Sequence, residues 1–171
     1  MEADINVRKT EHIRICLNEN VEGVNKTTGL EGINFIHNAL PEINFNDIDL
    51  STSFLDKPLK APFLVSSMTG GSELAGKIND NLSIAAEEKG WAIGLGSTRA
   101  LLESDAHVDS FMIRKNAKTV PVIANLGAVQ LNYGYGAEEC QRLVDLTEAD
   151  SLVLHLNSLQ EVVQDEGDLD F

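Results

Sequence analysis

Ser151-Leu152-Val153-Leu154-His155-Leu156-Asn157 alternates as an extended chain would. Leu152, Leu154 and Leu156 fall on one face, and Ser151, Val153, His155 and Asn157 on the other. The first face is wholly apolar and suits covering helices. The second turns polar as the segment nears its carboxyl end. Three earlier apolar segments, 61–68, 91–97 and 120–126, have similar length, and the four starts are 30, 29 and 31 residues apart. Each is a strand candidate.

Helical spacing fills the gaps. Leu74, Ile78, Leu82 and Ala85 recur at steps of four, four and three, with Gly90 as a carboxyl-terminal stop. Val108, Phe111 and Met112 repeat the stripe. Cys140, Leu143, Val144 and Thr147 stand at i, i+3, i+4 and i+7, which reads Cys140 as a core position rather than a reactive thiol. Strand, helix and strand at this period mean parallel βαβ units. A doubly wound sheet would carry a Gly-rich fingerprint after its first strand, and Gly94-Leu95-Gly96 is only a fragment of one. A (β/α)8 TIM barrel, with a polar cluster at the carboxyl end of each strand, fits better. The expectation is therefore a cap or arm over 1–60 and the first four βα units of such a barrel over 61–171.

The chain has 171 residues, 43% of them hydrophobic, and a net charge of −14 from 13 basic and 27 acidic side chains. That field repels polyanions, which argues against a nucleic-acid or anionic-membrane binder but leaves room for a small phosphorylated ligand. No apolar run reaches the roughly 18 residues of a membrane span, and no secretory segment opens the chain. Cys16 and Cys140 have no metal-ligand spacing. A soluble cytoplasmic protein is expected.

The candidate strand ends hold the chemistry. The first runs into Ser66-Ser67-Met68-Thr69-Gly70-Gly71, the second into Gly96-Ser97-Thr98-Arg99, and the third contains Asn125-Leu126-Gly127. The fourth reaches His155 and Asn157, followed by Gln160-Glu161. Glycines let backbone N–H groups approach a ligand, and an asparagine in an apolar strand must find partners in backbone or ligand.

Together with Arg8-Lys9-x-x-His12, these stretches resemble type 2 isopentenyl diphosphate isomerase in order and spacing. The resemblance implies a flavin-dependent (β/α)8 barrel that interconverts isopentenyl and dimethylallyl diphosphates with reduced FMN and Mg²⁺, NADPH being the reductant. By the same resemblance Ser67, Met68, Thr69, Ser97 and Asn125 bind the flavin. Arg8 and Lys9 hold the substrate diphosphate. His12, Ser97, Thr98, Arg99, His155 and Asn157 border the substrate, and Gln160 binds it and assists proton transfer with His155. Glu161 is a Mg²⁺ ligand. A small diphosphate is the implied partner, and a homotetramer or octamer the implied assembly of the complete protein.

A complete barrel needs eight βα units and about 250 residues. The chain is therefore expected to be the amino-terminal half of the enzyme. It would lack the later phosphate-binding loops and a flavin-contacting lysine, and its independent activity would be low. Two other readings stand beside this one: another FMN-dependent TIM-barrel oxidoreductase, and a non-catalytic truncated interaction module.

Overall fold

A computed structural model describes residues 2–104, 108–164 and 167–171, with side chains from Thr10 onward. The chain opens with α1 (Glu2–Asn18). Exposed turn-rich sequence follows to residue 51. A hairpin of β1 (Thr52–Phe54) and β2 (Lys57–Leu59) comes next. The main sheet is built from β3 (Leu64–Val65), β4 (Ala92–Gly94), β5 (Val122–Gly127) and β6 (Ser151–His155). Among the described residues no helix is long and apolar enough to cross a membrane.

The strands pair in parallel in the order β3-β4-β5-β6, so the βαβ reading of the sequence holds. The TIM barrel does not. A barrel closes only when its first and last strands find partners and every strand tilts and staggers to suit. Here β3 pairs with β4 alone and β6 with β5 alone, leaving an open four-stranded sheet among the described residues. Leu64 and Val153, on the two edge strands, remain exposed.

α2 (Glu73–Lys89) is the expected first crossover helix, but its buried face is Ala75, Asn79, Ser83 and Ala86. Each lies one position beyond the expected Leu74, Ile78, Leu82 and Ala85 stripe, and Leu74 is exposed. Ser72 caps the start of α2 by accepting from the Ala75 N–H, and Gly90 ends it in the left-handed region at φ 66°. α4 (Ala137–Thr147) confirms the third stripe: Leu143 and Thr147 are buried, and Cys140 is half-buried against the core. The middle crossover departs from expectation. α3 (Ala100–Glu103) is one turn, and Val108, Phe111 and Met112 fall on or beside short 3-10 turns rather than an α-helix. Phe111 still reaches the core, joining Ile93, Leu95, Ile113, Val122, Leu126 and Leu143.

Polar contacts join the two sides of the division expected near residue 60. The Lys60 N–H donates to the Gly90 carbonyl at 3.0 Å. Lys57 pairs with Asp150 at 2.6 Å, below the start of β6. Asp150 also accepts from the Val122 N–H and from Arg114, each at 2.8 Å. Burial works to raise the Asp150 pKa, but Lys57, the Val122 N–H and Arg114 outweigh it and hold the carboxyl below its ordinary 3.8.

Candidate functional site

The carboxyl ends of the four strands, with α1 beside them, line an open cavity of about 980 Å³. It joins a smaller one of about 340 Å³, the two sharing Gly127, His155, Leu156 and Glu161. Its floor includes Leu64, Ile78 and Ile123, and its polar wall comes from side chains far apart in sequence.

The loop after β3 is fixed from behind. Buried Asn79 on α2 donates to the Thr69 carbonyl at 3.1 Å and to the Ser110 carbonyl at 2.8 Å. The Gly71 N–H donates to the Ser110 hydroxyl at 2.8 Å. Gly70 fits only because it lacks a side chain: a Cβ there would stand 2.1 Å from the Phe111 ring. These anchors leave Ser67, Met68 and Thr69 lining the cavity, with Met68 76% exposed. Asn79 and Ser110 were not singled out in the sequence. The available signal was a polar residue four positions after Ala75 and four before Ser83 on the buried side of α2.

After β4 the chain splits its two hydroxyls. Ser97 is exposed and lines the cavity. Thr98 is fully buried, and both its N–H and its hydroxyl donate to the Asn125 carbonyl at 2.7 Å. Thr98 therefore does not border the cavity; it ties β4 to β5. That tie leaves the Asn125 side chain on the cavity wall, 7% exposed and with no hydrogen-bond partner among the described residues.

Arg99 reaches the cavity between two carboxylates. Its Nη1 donates to Asp168 at 2.6 Å, and its Nε faces Glu103 at 3.2 Å. Gln130, another cavity residue absent from the sequence reading, donates to the same Asp168 oxygen at 2.6 Å. Behind them the Tyr135 hydroxyl donates to Glu103 at 3.1 Å. Burial, reinforced by the Glu103 charge, pushes the Tyr135 pKa above its ordinary 10.0.

β6 ends at His155, and Asn157 caps α5 (Ser158–Val162) rather than extending the strand. The Asn157 side chain accepts from the Gln160 N–H at 3.3 Å and donates to Gln160 Oε1 at 3.0 Å. The Gln160 amide is thus held at the cavity edge with its NH2 available. His155 lines both cavities, and Glu161 lies one residue beyond Gln160, its carboxylate accepting from the Asp168 N–H at 3.2 Å. His12 comes in from α1 with Ile13 and Cys16. Arg8 and Lys9 belong to the same helix, but their side chains lie outside the described part of the structure.

The polar wall and apolar floor fit a flat heteroaromatic ring, for which Asn125 offers both a donor and an acceptor. Metal binding has a narrower basis. No group of three or more His, Cys, Asp or Glu side chains suited to a metal occurs among the described residues. Glu161 alone suits only a cation that takes its other ligands from water and a bound phosphate, as Mg²⁺ commonly does.

No family model matches the chain. Individual relatives do. The chain is 76% identical over all 171 residues to a protein of Oceanobacillus iheyensis, covering 49% of that protein. It is 54% identical over 164 residues to one of Nostoc sp. and 53% identical over 161 residues to one of Rickettsia bellii. These alignments cover 96% and 94% of the chain and 47% of each relative. All three relatives are named isopentenyl-diphosphate delta-isomerase, and the chain, similar to them from end to end, spans about half their length.

Proposed function

We propose that this chain supplies the strand-end cavity of an isopentenyl-diphosphate delta-isomerase of the type 2 kind, which interconverts isopentenyl and dimethylallyl diphosphates with reduced FMN and Mg²⁺. The observation that carries the reading is the convergence on one cavity of Ser67, Ser97, Asn125, His155 and Gln160, drawn from four separate strand ends.

Moving a double bond by one carbon requires a proton to arrive at one carbon and another to leave nearby, in a space from which water is excluded. Reduced FMN would supply an electron-rich ring face and a proton-bearing nitrogen. Ser67, Met68, Thr69, Ser97 and Asn125 would hold that ring. Arg99 would hold a phosphate oxygen, with His12 and the Arg8-Lys9 pair on the α1 side. Gln160 is a weak base, so its fixed amide suits orienting the substrate and relaying a proton. His155, which lines the same cavity, would be its partner in proton transfer. Glu161 would take Mg²⁺ only together with the diphosphate. NADPH as reductant, a cytoplasmic location and a homotetrameric or octameric assembly belong to the same proposal.

The test is a titration of the chain with reduced FMN, Mg²⁺ and isopentenyl diphosphate, followed by NMR. Shifts confined to the loop after β3, Ser97, Asn125 and Gln160 support the reading. Shifts elsewhere, with these unmoved, refute it.

A further inference from the structure

Residues 167–171 cross the carboxyl ends of three strands and are held there almost wholly by polar contacts. Asp168 receives Arg99 and Gln130, each at 2.6 Å, and its N–H donates to Glu161 at 3.2 Å. The Leu169 and Asp170 N–H groups donate to the Tyr133 hydroxyl at 3.0 and 3.2 Å, and Asn132 donates to the Asp170 carbonyl at 2.9 Å. Apolar burial adds little, since Leu169 and Phe171 are each 59% exposed. Gly167 allows the crossing: a Cβ there would stand 1.8 Å from the Glu161 carbonyl oxygen.

We propose that residues 167–171 are an autoinhibitory strap whose Asp168 carboxylate holds, on Arg99 and Gln130, the place of a phosphoryl oxygen of the ligand, so that diphosphate binding lifts the strap. This rests on the diphosphate reading of the cavity. A guanidinium N–H beside an amide N–H, both aimed at one anionic oxygen, forms a cradle that a phosphate oxygen fits as well as a carboxylate does. Arg99 already faces Glu103 and Asp168, so a further anion cannot share it without local repulsion. Exchange is therefore required, and a diphosphate brings more charge and more acceptor oxygens than a single carboxylate. Glu161 works in the same direction. Once its carboxylate turns to a cation, the Asp168 N–H loses its acceptor, so cation and anion release the strap together.

The test uses the ¹⁵N-labelled chain with Mg²⁺ and inorganic pyrophosphate. Amide exchange at Leu169 and Asp170 should accelerate about tenfold or more while the β5 amides stay unchanged. Asp168→Asn should bind pyrophosphate about fivefold tighter than the unaltered chain, because the internal competitor is gone. Asp170→Asn, whose carboxylate does not pair with Arg99, should change that affinity less than about twofold. Protection at Ser97 and Arg99 with exchange at Leu169 and Asp170 unmoved would overturn the strap and leave the diphosphate reading intact. Absence of binding by both the unaltered chain and Asp168→Asn would overturn both.

Discussion

Gly96 and Thr69 meet backbone to backbone. The Gly96 N–H donates to the Thr69 carbonyl at 3.2 Å, and a Cβ on Gly96 would stand 2.7 Å from that same carbonyl. The loop that lines the cavity after β3 is thereby pressed against the end of β4.

Gly96→Ala should push Thr69 away and cost about 1–3 kcal/mol of stability, the usual range for overpacking a tight contact. Urea unfolding measures the loss, and amide spectra should show it centred on residues 67–71. An unshifted loop at unchanged stability would mean that the contact is not as tight as described.

Thr98→Val removes a buried hydroxyl that donates to the Asn125 carbonyl at 2.7 Å. That carbonyl keeps the Thr98 N–H, so the cost should stay near 1 kcal/mol. Because Thr98 faces away from the cavity, pyrophosphate affinity should hold within about twofold. Ser97→Ala, one residue earlier, should do the reverse: little change in thermal stability and weaker flavin binding. A large affinity loss with Thr98→Val would return that residue to the ligand site.

Acid stability should depend on Asp150 and Glu87. Burial opposes ionisation at Glu87 too, yet its bonds from Thr119 and the Val120 N–H hold the carboxyl below its ordinary 4.5. Both folded pKa values are depressed, so the stabilisation is present above the ordinary values of 3.8 and 4.5 and is lost as pH falls through the lower folded ones. Asp150→Asn should cost about 1 kcal/mol at pH 7, a figure kept small by solvent around the cluster. The difference from the unaltered chain should shrink below about pH 4. A gap independent of pH would remove the ion cluster as its cause.

Glu161→Gln should weaken Mg²⁺-assisted pyrophosphate binding about tenfold or more, because a hard cation loses an anionic ligand. Flavin affinity should change little. Calorimetry with and without Mg²⁺ separates these effects, and equal loss of flavin would contradict the role given to Glu161.

What the sequence made readable was periodicity. Four segments about 30 residues apart, with helical stripes between them, led to parallel βαβ units because both periods are local properties of the chain. Closure is not local: whether β3 and β6 meet other strands depends on pairing that no stripe encodes, and the barrel expectation failed there. The β1–β2 hairpin escaped notice because its two-residue turn, Leu55-Asp56, adopts φ 52° and 57° without the glycine or asparagine that marks such turns. At the site, residue types were legible but directions were not. Ser97 and Thr98 differ by one position at a strand end, where the alternation of faces is already breaking. Asp168 meets Arg99 across 69 residues, a separation at which no sequence pattern joins them.

The most direct measurement places this chain in the protein of Oceanobacillus iheyensis to which it is 76% identical, replacing the matching segment. The chimera is then assayed for conversion of isopentenyl to dimethylallyl diphosphate. The account predicts turnover with reduced FMN and Mg²⁺, none with oxidised FMN, and loss of at least about a hundredfold in kcat/KM on Gln160→Ala. Turnover equally fast without flavin, or a folded chimera that is inactive while the parent protein turns over, would contradict it.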